Sequence, residues 1–145
     1  EELARRLGAD HDDLLPERLL AGDELACEQI LNLVHAPLHE MGDPFESTVA
    51  TYLALLAAEP DTLIARKLGR AAAEAVSAEA RAIVALGGPA NPEAAARVAA
   101  FDLSLRDPQN SRNPGTTADL TAAALFAVLA EDAVAADSPR MPRAQ

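Results

Sequence analysis

Residues 113–136 read NPGTTADLTAAALFAVLAEDAVAA, a tight turn that runs directly into the longest apolar-rich stretch of the chain. In the turn, Pro114 fixes φ, Gly115 permits a conformation that other residues avoid, and either of the two threonines that follow can cap a helix. The stretch from Leu120 to Ala136 is rich in alanine and leucine, which are strong helix formers. The pattern predicts a turn followed by a long C-terminal helix.

The composition extends this prediction to the whole chain. Half of the 145 residues are apolar, but only 3% are aromatic, so alanine and leucine must supply most of the core. Strand-forming residues are scarce and no alternating pattern appears. We therefore expect an all-α protein, a compact multi-helix bundle of about six helices. Residues 1–136 would form a single domain, the C-terminal part of a larger enzyme, and residues 137–145 a disordered tail.

Apolar residues recur at helical spacing in several further segments, each with its own start signal. Asp43-Pro44 and Asn91-Pro92 are typical of helix N-termini. Gly87-Gly88-Pro89 is a stop signal. The predicted inward-facing residues are Val49, Tyr52, Leu53 and Leu56, then Val76, Ala80, Ile83 and Val84, then Val98, Phe101 and Leu105, and finally Leu125, Val128 and Leu129.

Charge and cysteine content narrow the classes of function. Twelve basic and 23 acidic residues give a net charge of −11, which repels phosphodiester backbones and argues against nucleic-acid binding. No apolar run is long enough to span a membrane. Cys27 has no second cysteine to pair with, and its most economical role is that of a small buried hydrophobe. Together these features favour a cytoplasmic protein.

Two aspartates stand at predicted helix starts and allow two interpretations. Asp61 follows Pro60 and precedes an apolar helical stretch, so it can act as a cap. Thr116 and Asp119 have the spacing of an acidic capping box. Helix capping explains both aspartates without a ligand.

The second interpretation is a site for a magnesium-bound triphosphate. Thr62 and Arg66 lie four residues apart on one helical face, and Lys67 follows directly. Carboxylate and hydroxyl oxygens suit Mg²⁺, and cations suit phosphate. The free amides of a helix N-terminus after a glycine-containing turn can also donate hydrogen bonds to phosphate. Spacing alone leaves both interpretations open.

The two segments together resemble a known family. Residues 61–69, DTLIARKLG, resemble the Asp-Thr-x-x-x-Arg-x-x-Gly segment of the triphosphoribosyl-dephospho-CoA synthases. Residues 113–120, NPGTTADL, resemble their Pro-Gly-x-Ser/Thr-Ala-Asp-Leu segment, which also opens a C-terminal helix. Order and spacing agree, and the resemblance covers roughly residues 25–135.

The resemblance implies an all-helical enzyme that joins the triphosphoribosyl group of ATP to the ribose 2′-hydroxyl of 3′-dephospho-CoA and releases adenine. The product is a prosthetic-group precursor for an acyl carrier subunit. On this basis we hypothesise that Asp61 and Asp119 are the catalytic residues and also bind Mg²⁺. The hypothesis assigns nucleotide and phosphate binding to Thr62, Arg66, Lys67, Asn113, Gly115, Thr116 and Thr117.

Some residues depart from the family pattern, and these departures leave alternative functions open. Leu63 and the Lys67-Leu68 pair differ from the citrate-lyase-linked members and point to the archaeal, methanopterin-associated branch. The family's N-terminal half has no counterpart here, so the chain resembles a C-terminal half. Its partner would be a separate N-terminal half or a second copy. One alternative is a non-catalytic helical interaction domain that completes such an N-terminal chain. Another is a related phosphoribosyl-type transferase of methanopterin-linked C1 metabolism.

Overall fold

The computed structural model describes residues 43–137, with side chains as far as residue 130, and the isolated helical positions Glu28, Ile30 and Asn32. Predictions for Cys27 and for residues 138–145 lie outside these residues. The described part consists of helices and the connections between them and contains no strand, which confirms the all-α prediction. Its elements are α1 (Pro44–Ala58), α2 (Thr62–Leu68), α3 (Arg70–Ala85), a 3₁₀ turn (Gly88–Ala90), α4 (Pro92–Leu105) and α5 (Gly115–Asp137).

The start signals read from the sequence act as predicted in α1 and α4. Asp43 caps α1, because its carboxylate accepts hydrogen bonds from the amides of Phe45 at 2.7 Å and Glu46 at 3.1 Å. Asn91 caps α4 by accepting from the Glu93 amide at 3.0 Å. In both helices a proline occupies the first turn, where its missing N–H costs nothing.

Helix α3 is central, since it contacts α1, α2 and α4. Its buried stripe meets apolar residues from these three helices, as the helical spacing predicts. The core consists of Leu53, Leu56, Ile64, Ala73, Val76, Ala80, Ile83, Phe101 and Leu105. Two predicted inward residues are exceptions, because Val84 and Leu129 lie at the exposed edges of their helices. No helix in the described ranges is both long and apolar enough to cross a membrane.

The turn before α5 differs from its prediction. Gly115 is the first residue of α5 and is not among the residues with positive φ. The reason for glycine here is space: a Cβ atom would lie 2.6 Å from Cδ2 of Leu63 in α2. Gly115 therefore lets the starts of α2 and α5 approach closely, and this approach forms the candidate site.

Candidate functional site

Asp61 joins the N-termini of α2 and α5. Its Oδ1 accepts hydrogen bonds from the amides of Leu63 at 2.9 Å and Ile64 at 3.1 Å, which caps α2. Its Oδ2 accepts from the Thr117 amide at 2.8 Å and the Thr117 hydroxyl at 2.9 Å. The residue is only 2% exposed. A single buried carboxylate thus satisfies free first-turn amides of two helices that are more than fifty residues apart along the chain.

We call the contact between the N-termini of α2 and α5 around Asp61 the joint. Neighbouring threonines also take part in it. The hydroxyls of Thr62 and Thr116 are hydrogen-bonded at 2.9 Å across the two helices. Thr116 lies inside the first turn of α5 and not before it, so it does not take the N-cap position that a capping box with Asp119 requires. Beside the joint lies a cavity of only about 10 Å³, lined by Asp61 and the surrounding threonines, which is room for no more than about one water molecule.

Asp119 lies apart from this joint. Successive residues of an α-helix are rotated by about 100°, so Asp119 points to nearly the opposite side of α5 from Thr117. It is exposed, and it does not line the small cavity. The structure brings together Asp61, Thr62, Thr116 and Thr117, and leaves Asp119 on the adjoining solvent-facing surface.

Three cations lie on α2 and on the loop that precedes α5. Arg66 follows Thr62 by one helical turn, on the side where α2 meets α5. Lys67 donates a hydrogen bond from Nζ to the carbonyl oxygen of Asn110 in the loop, at 3.0 Å. Arg112 is exposed in the same loop. In the described part of the chain these three cations have no carboxylate partner, unlike the paired arginines at positions 70, 97 and 106.

The sequence profile of the ATP:dephospho-CoA triphosphoribosyl transferases matches residues 20–138, which is most of the chain. The chain belongs to this family. The resemblance seen in two short motifs is therefore confirmed at family level, and the match includes both of them. Comparisons with curated proteins and with solved structures gave no significant match.

The loop before α5 holds a residue that the sequence reasoning did not single out. Asp107 accepts hydrogen bonds from the amides of Gln109 at 2.9 Å, Ser111 at 2.9 Å and Arg112 at 3.0 Å. These bonds, that from the Arg112 amide first, lower the pKa of the Asp107 carboxyl. The signal was present as an Asp-Pro pair opening a polar loop. In this member of the transferase family, Asp107 holds the backbone that carries Arg112.

A second missed feature is a large apolar groove between α1 and α4. Its volume is about 520 Å³, and Phe45, Tyr52, Phe101 and Asp102 are among its lining residues. Burial raises the pKa of the Tyr52 phenol far above its ordinary value, and the nearby charges of Asp61 and Asp102 add to the shift. Sequence reasoning treated Tyr52 only as a core residue, because helical spacing cannot show which part of an apolar stripe stays uncovered.

Proposed function

We propose that this chain transfers the triphosphoribosyl group of ATP to 3′-dephospho-CoA and releases adenine. The bond between C1′ of the ATP ribose and the adenine nitrogen breaks, and a bond between C1′ and the acceptor 2′-oxygen forms. Adenine leaves with the electron pair of the broken bond and takes up a proton, while the acceptor hydroxyl loses one. The observation that carries this proposal is the family match over residues 20–138.

The geometry supports a polyphosphate site on the surface beside the joined helix N-termini. Inside the joint the carboxylate of Asp61 already meets the positive charge of the α2 and α5 dipoles, so the charge for a ligand must come from side chains outside it. Arg66, Lys67 and Arg112 add side-chain charge on the neighbouring surface. In a chain of net charge −11, cations without carboxylate partners suit an anionic ligand. We assign them to the triphosphate, with Thr62 and Thr116 near its end.

The two aspartates have different surroundings, and we assign them different roles. Both oxygens of Asp61 are already engaged by the first turns of α2 and α5, so Asp61 acts as a positioning residue for the phosphate site. Asp119 is exposed and makes no hydrogen bond or ion pair with other described residues. We propose Asp119 as the carboxylate that takes the proton of the attacking hydroxyl or faces the positive charge that develops at C1′.

Magnesium fits this site as part of the nucleotide. The described residues contain no group of three or more histidine, cysteine or acidic side chains that could hold an ion. Mg²⁺ commonly keeps several waters and is held by substrate phosphates with one or two carboxylates. We propose that the ion arrives with the triphosphate, and that Asp119 supplies at most one protein ligand.

The test is adenine release by the full chain incubated with Mg²⁺, ATP and dephospho-CoA, followed chromatographically. We expect one adenine for each acceptor joined. The Asp119→Asn variant should lose about 100-fold or more of this rate while its unfolding midpoint stays unchanged. Glu93→Gln, which alters an exposed carboxylate in the first turn of α4, is the matched control and should keep the rate.

Two results would count against the proposal. A wild-type chain that binds ATP but releases no adenine would contradict transfer by this chain and support the non-catalytic interaction domain. An Asp119→Asn variant with full activity would remove Asp119 from the mechanism. Transfer to another acceptor and not to dephospho-CoA would overturn the assigned acceptor and favour the related phosphoribosyl-type transferase as the alternative.

A further inference from the structure

The groove between α1 and α4 concentrates the aromatic residues of the chain. The sequence contains three phenylalanines, one tyrosine and no tryptophan. Three of these four aromatic side chains, those of Phe45, Tyr52 and Phe101, line the groove. Its volume of about 520 Å³ lies in the usual range for small-molecule sites. Such a groove, in a chain that is otherwise poor in aromatic residues, is suited to a flat aromatic ligand.

We propose that this groove binds the adenine ring of a nucleotide substrate, stacked on Phe45 and held at its edge by Tyr52 and Asp102. The inference rests on the proposed function, since ATP and dephospho-CoA both carry adenine. Phe45 is 78% exposed at the groove, so its ring face is open for stacking. Stacking between a base and an aromatic side chain is a strong interaction, and it does not depend on which base is present.

Two polar groups give the groove a preference for adenine. The Tyr52 hydroxyl makes no hydrogen bond with the described residues, and it can donate to a ring nitrogen. Asp102 accepts both of its hydrogen bonds from Arg106 on Oδ2, so Oδ1 is open to accept from the exocyclic amino group. A guanine ring would instead present its carbonyl oxygen to this carboxylate.

The groove also adjoins the proposed phosphate site. Tyr52 lines the groove, and Leu55, about one helical turn further along α1, lines the small cavity at the joint of α2 and α5. The groove and the joint are therefore about one turn of α1 apart. A nucleotide with its base in the groove would have its phosphates directed toward that joint.

The sole tyrosine makes the groove directly observable. Without tryptophan in the chain, tyrosine fluorescence reports Tyr52 alone. We expect adenosine, ATP and dephospho-CoA to change this fluorescence, guanosine to act more weakly, and tripolyphosphate and pantetheine to leave it unchanged. A response to tripolyphosphate equal to that to ATP, with none to adenosine, would overturn the proposal.

A substitution that fills the groove with a large side chain tests the site without removing a core residue. Ala99 is exposed and lines the groove, whereas Ala100 is exposed on the same helix and does not line it. By calorimetry, Ala99→Trp should weaken binding of adenosine about tenfold or more, and Ala100→Trp should change it less than about twofold. Phe45→Ala should also weaken binding about tenfold. The substrate whose affinity responds to Ala99→Trp is the one whose base occupies the groove.

The outcomes separate this proposal from the proposed function. Normal adenine release with equal affinities in Ala99→Trp and Ala100→Trp would overturn the groove assignment and leave the transfer reaction standing. Adenosine binding that Ala99→Trp abolishes, without adenine release, would support the groove and contradict transfer. A wild-type dimer that Ala99→Trp converts to monomer in sedimentation would show that a second copy covers the groove, and would overturn the proposal.

Discussion

Replacing Asp61 by alanine should destabilise the protein far more than removing an ordinary helix cap. Asp43 provides the matched control, because it is exposed and caps only α1. Loss of such a cap costs about 1 kcal/mol. Asp61 serves the first turns of both α2 and α5 from a buried position, and each buried N–H left without a partner costs about 1–3 kcal/mol. Two of its bonded amides, those of Ile64 and Thr117, are buried, which gives about 2–6 kcal/mol, and we expect a value near the middle, about 3–4 kcal/mol, for Asp61→Ala.

The measurement is urea unfolding followed by circular dichroism, with thermal melting in parallel. For a chain of this size about 1 kcal/mol shifts the melting temperature by about 2–4 °C. Asp43→Ala should lower it by about that amount, and Asp61→Ala by about 6–16 °C. Equal losses for the two variants would refute the reasoning, because they would mean that Asp61 stabilises only one helix.

The Asp61→Asn variant separates the two halves of the joint. Asparagine has a single acceptor oxygen, so it can satisfy the first turn of α2 or that of α5, but not both. We expect about half the loss seen in Asp61→Ala, with faster hydrogen exchange either at the Thr117 amide or at those of Leu63 and Ile64. Unchanged exchange at all three amides would contradict the shared-cap geometry.

Three further predictions concern the surroundings of the joint. Because burial raises the pKa of the Tyr52 phenol above its ordinary value, the unfolded state ionises first, and stability should fall as pH rises above about 10. Absorbance titration of this sole tyrosine should show ionisation at higher pH in the folded chain than in the urea-unfolded chain, and identical titrations would contradict burial of the phenol. Gly115→Ala should lower the free energy of unfolding by about 1 kcal/mol through overpacking against Leu63, and by almost nothing in a Leu63→Ala background. A double-mutant cycle that shows no coupling between the two positions would disprove the close approach of Gly115 to Leu63. Arg66→Ala should raise the KM for ATP about tenfold. The control Arg97→Ala, which removes the ion pair with Glu79 between α3 and α4, should leave the KM unchanged. Equal effects of the two variants would argue against a local phosphate site.

The helices could be predicted from the sequence because their signals are local. Caps at Asp43, Asp61 and Asn91 and the buried stripe of α3 follow from residue type and spacing alone. The segments of residues 61–69 and 113–120 were also recognisable from the sequence as two motifs of one family. These features needed no knowledge of which helix packs against which.

The remaining features depend on tertiary contacts that no local pattern contains. Thr117 bonds to Asp61 instead of acting as a cap, since another helix already supplies the carboxylate. Gly115 is needed for clearance from Leu63, not for an unusual φ. Asp119, which we predicted to share a site with Asp61, lies instead on the exposed surface next to the joint, because the rotation of α5 turns it away from Thr117. The open groove at Tyr52 depends on the separation of α1 and α4, which periodicity cannot give.

The bond between Asp61 and Thr117 has a consequence for how relatives of this protein can diverge. The two motifs are joined by one side chain, so the length of polypeptide between them is not what sets their arrangement. Insertions or deletions in the connections around the 3₁₀ turn or in the loop before α5 would leave the joint unchanged, provided that α3 still packs on α1. Homologues should therefore be sought by the pairing of an acidic residue with a hydroxyl-bearing one, and not by a fixed interval between the two motifs.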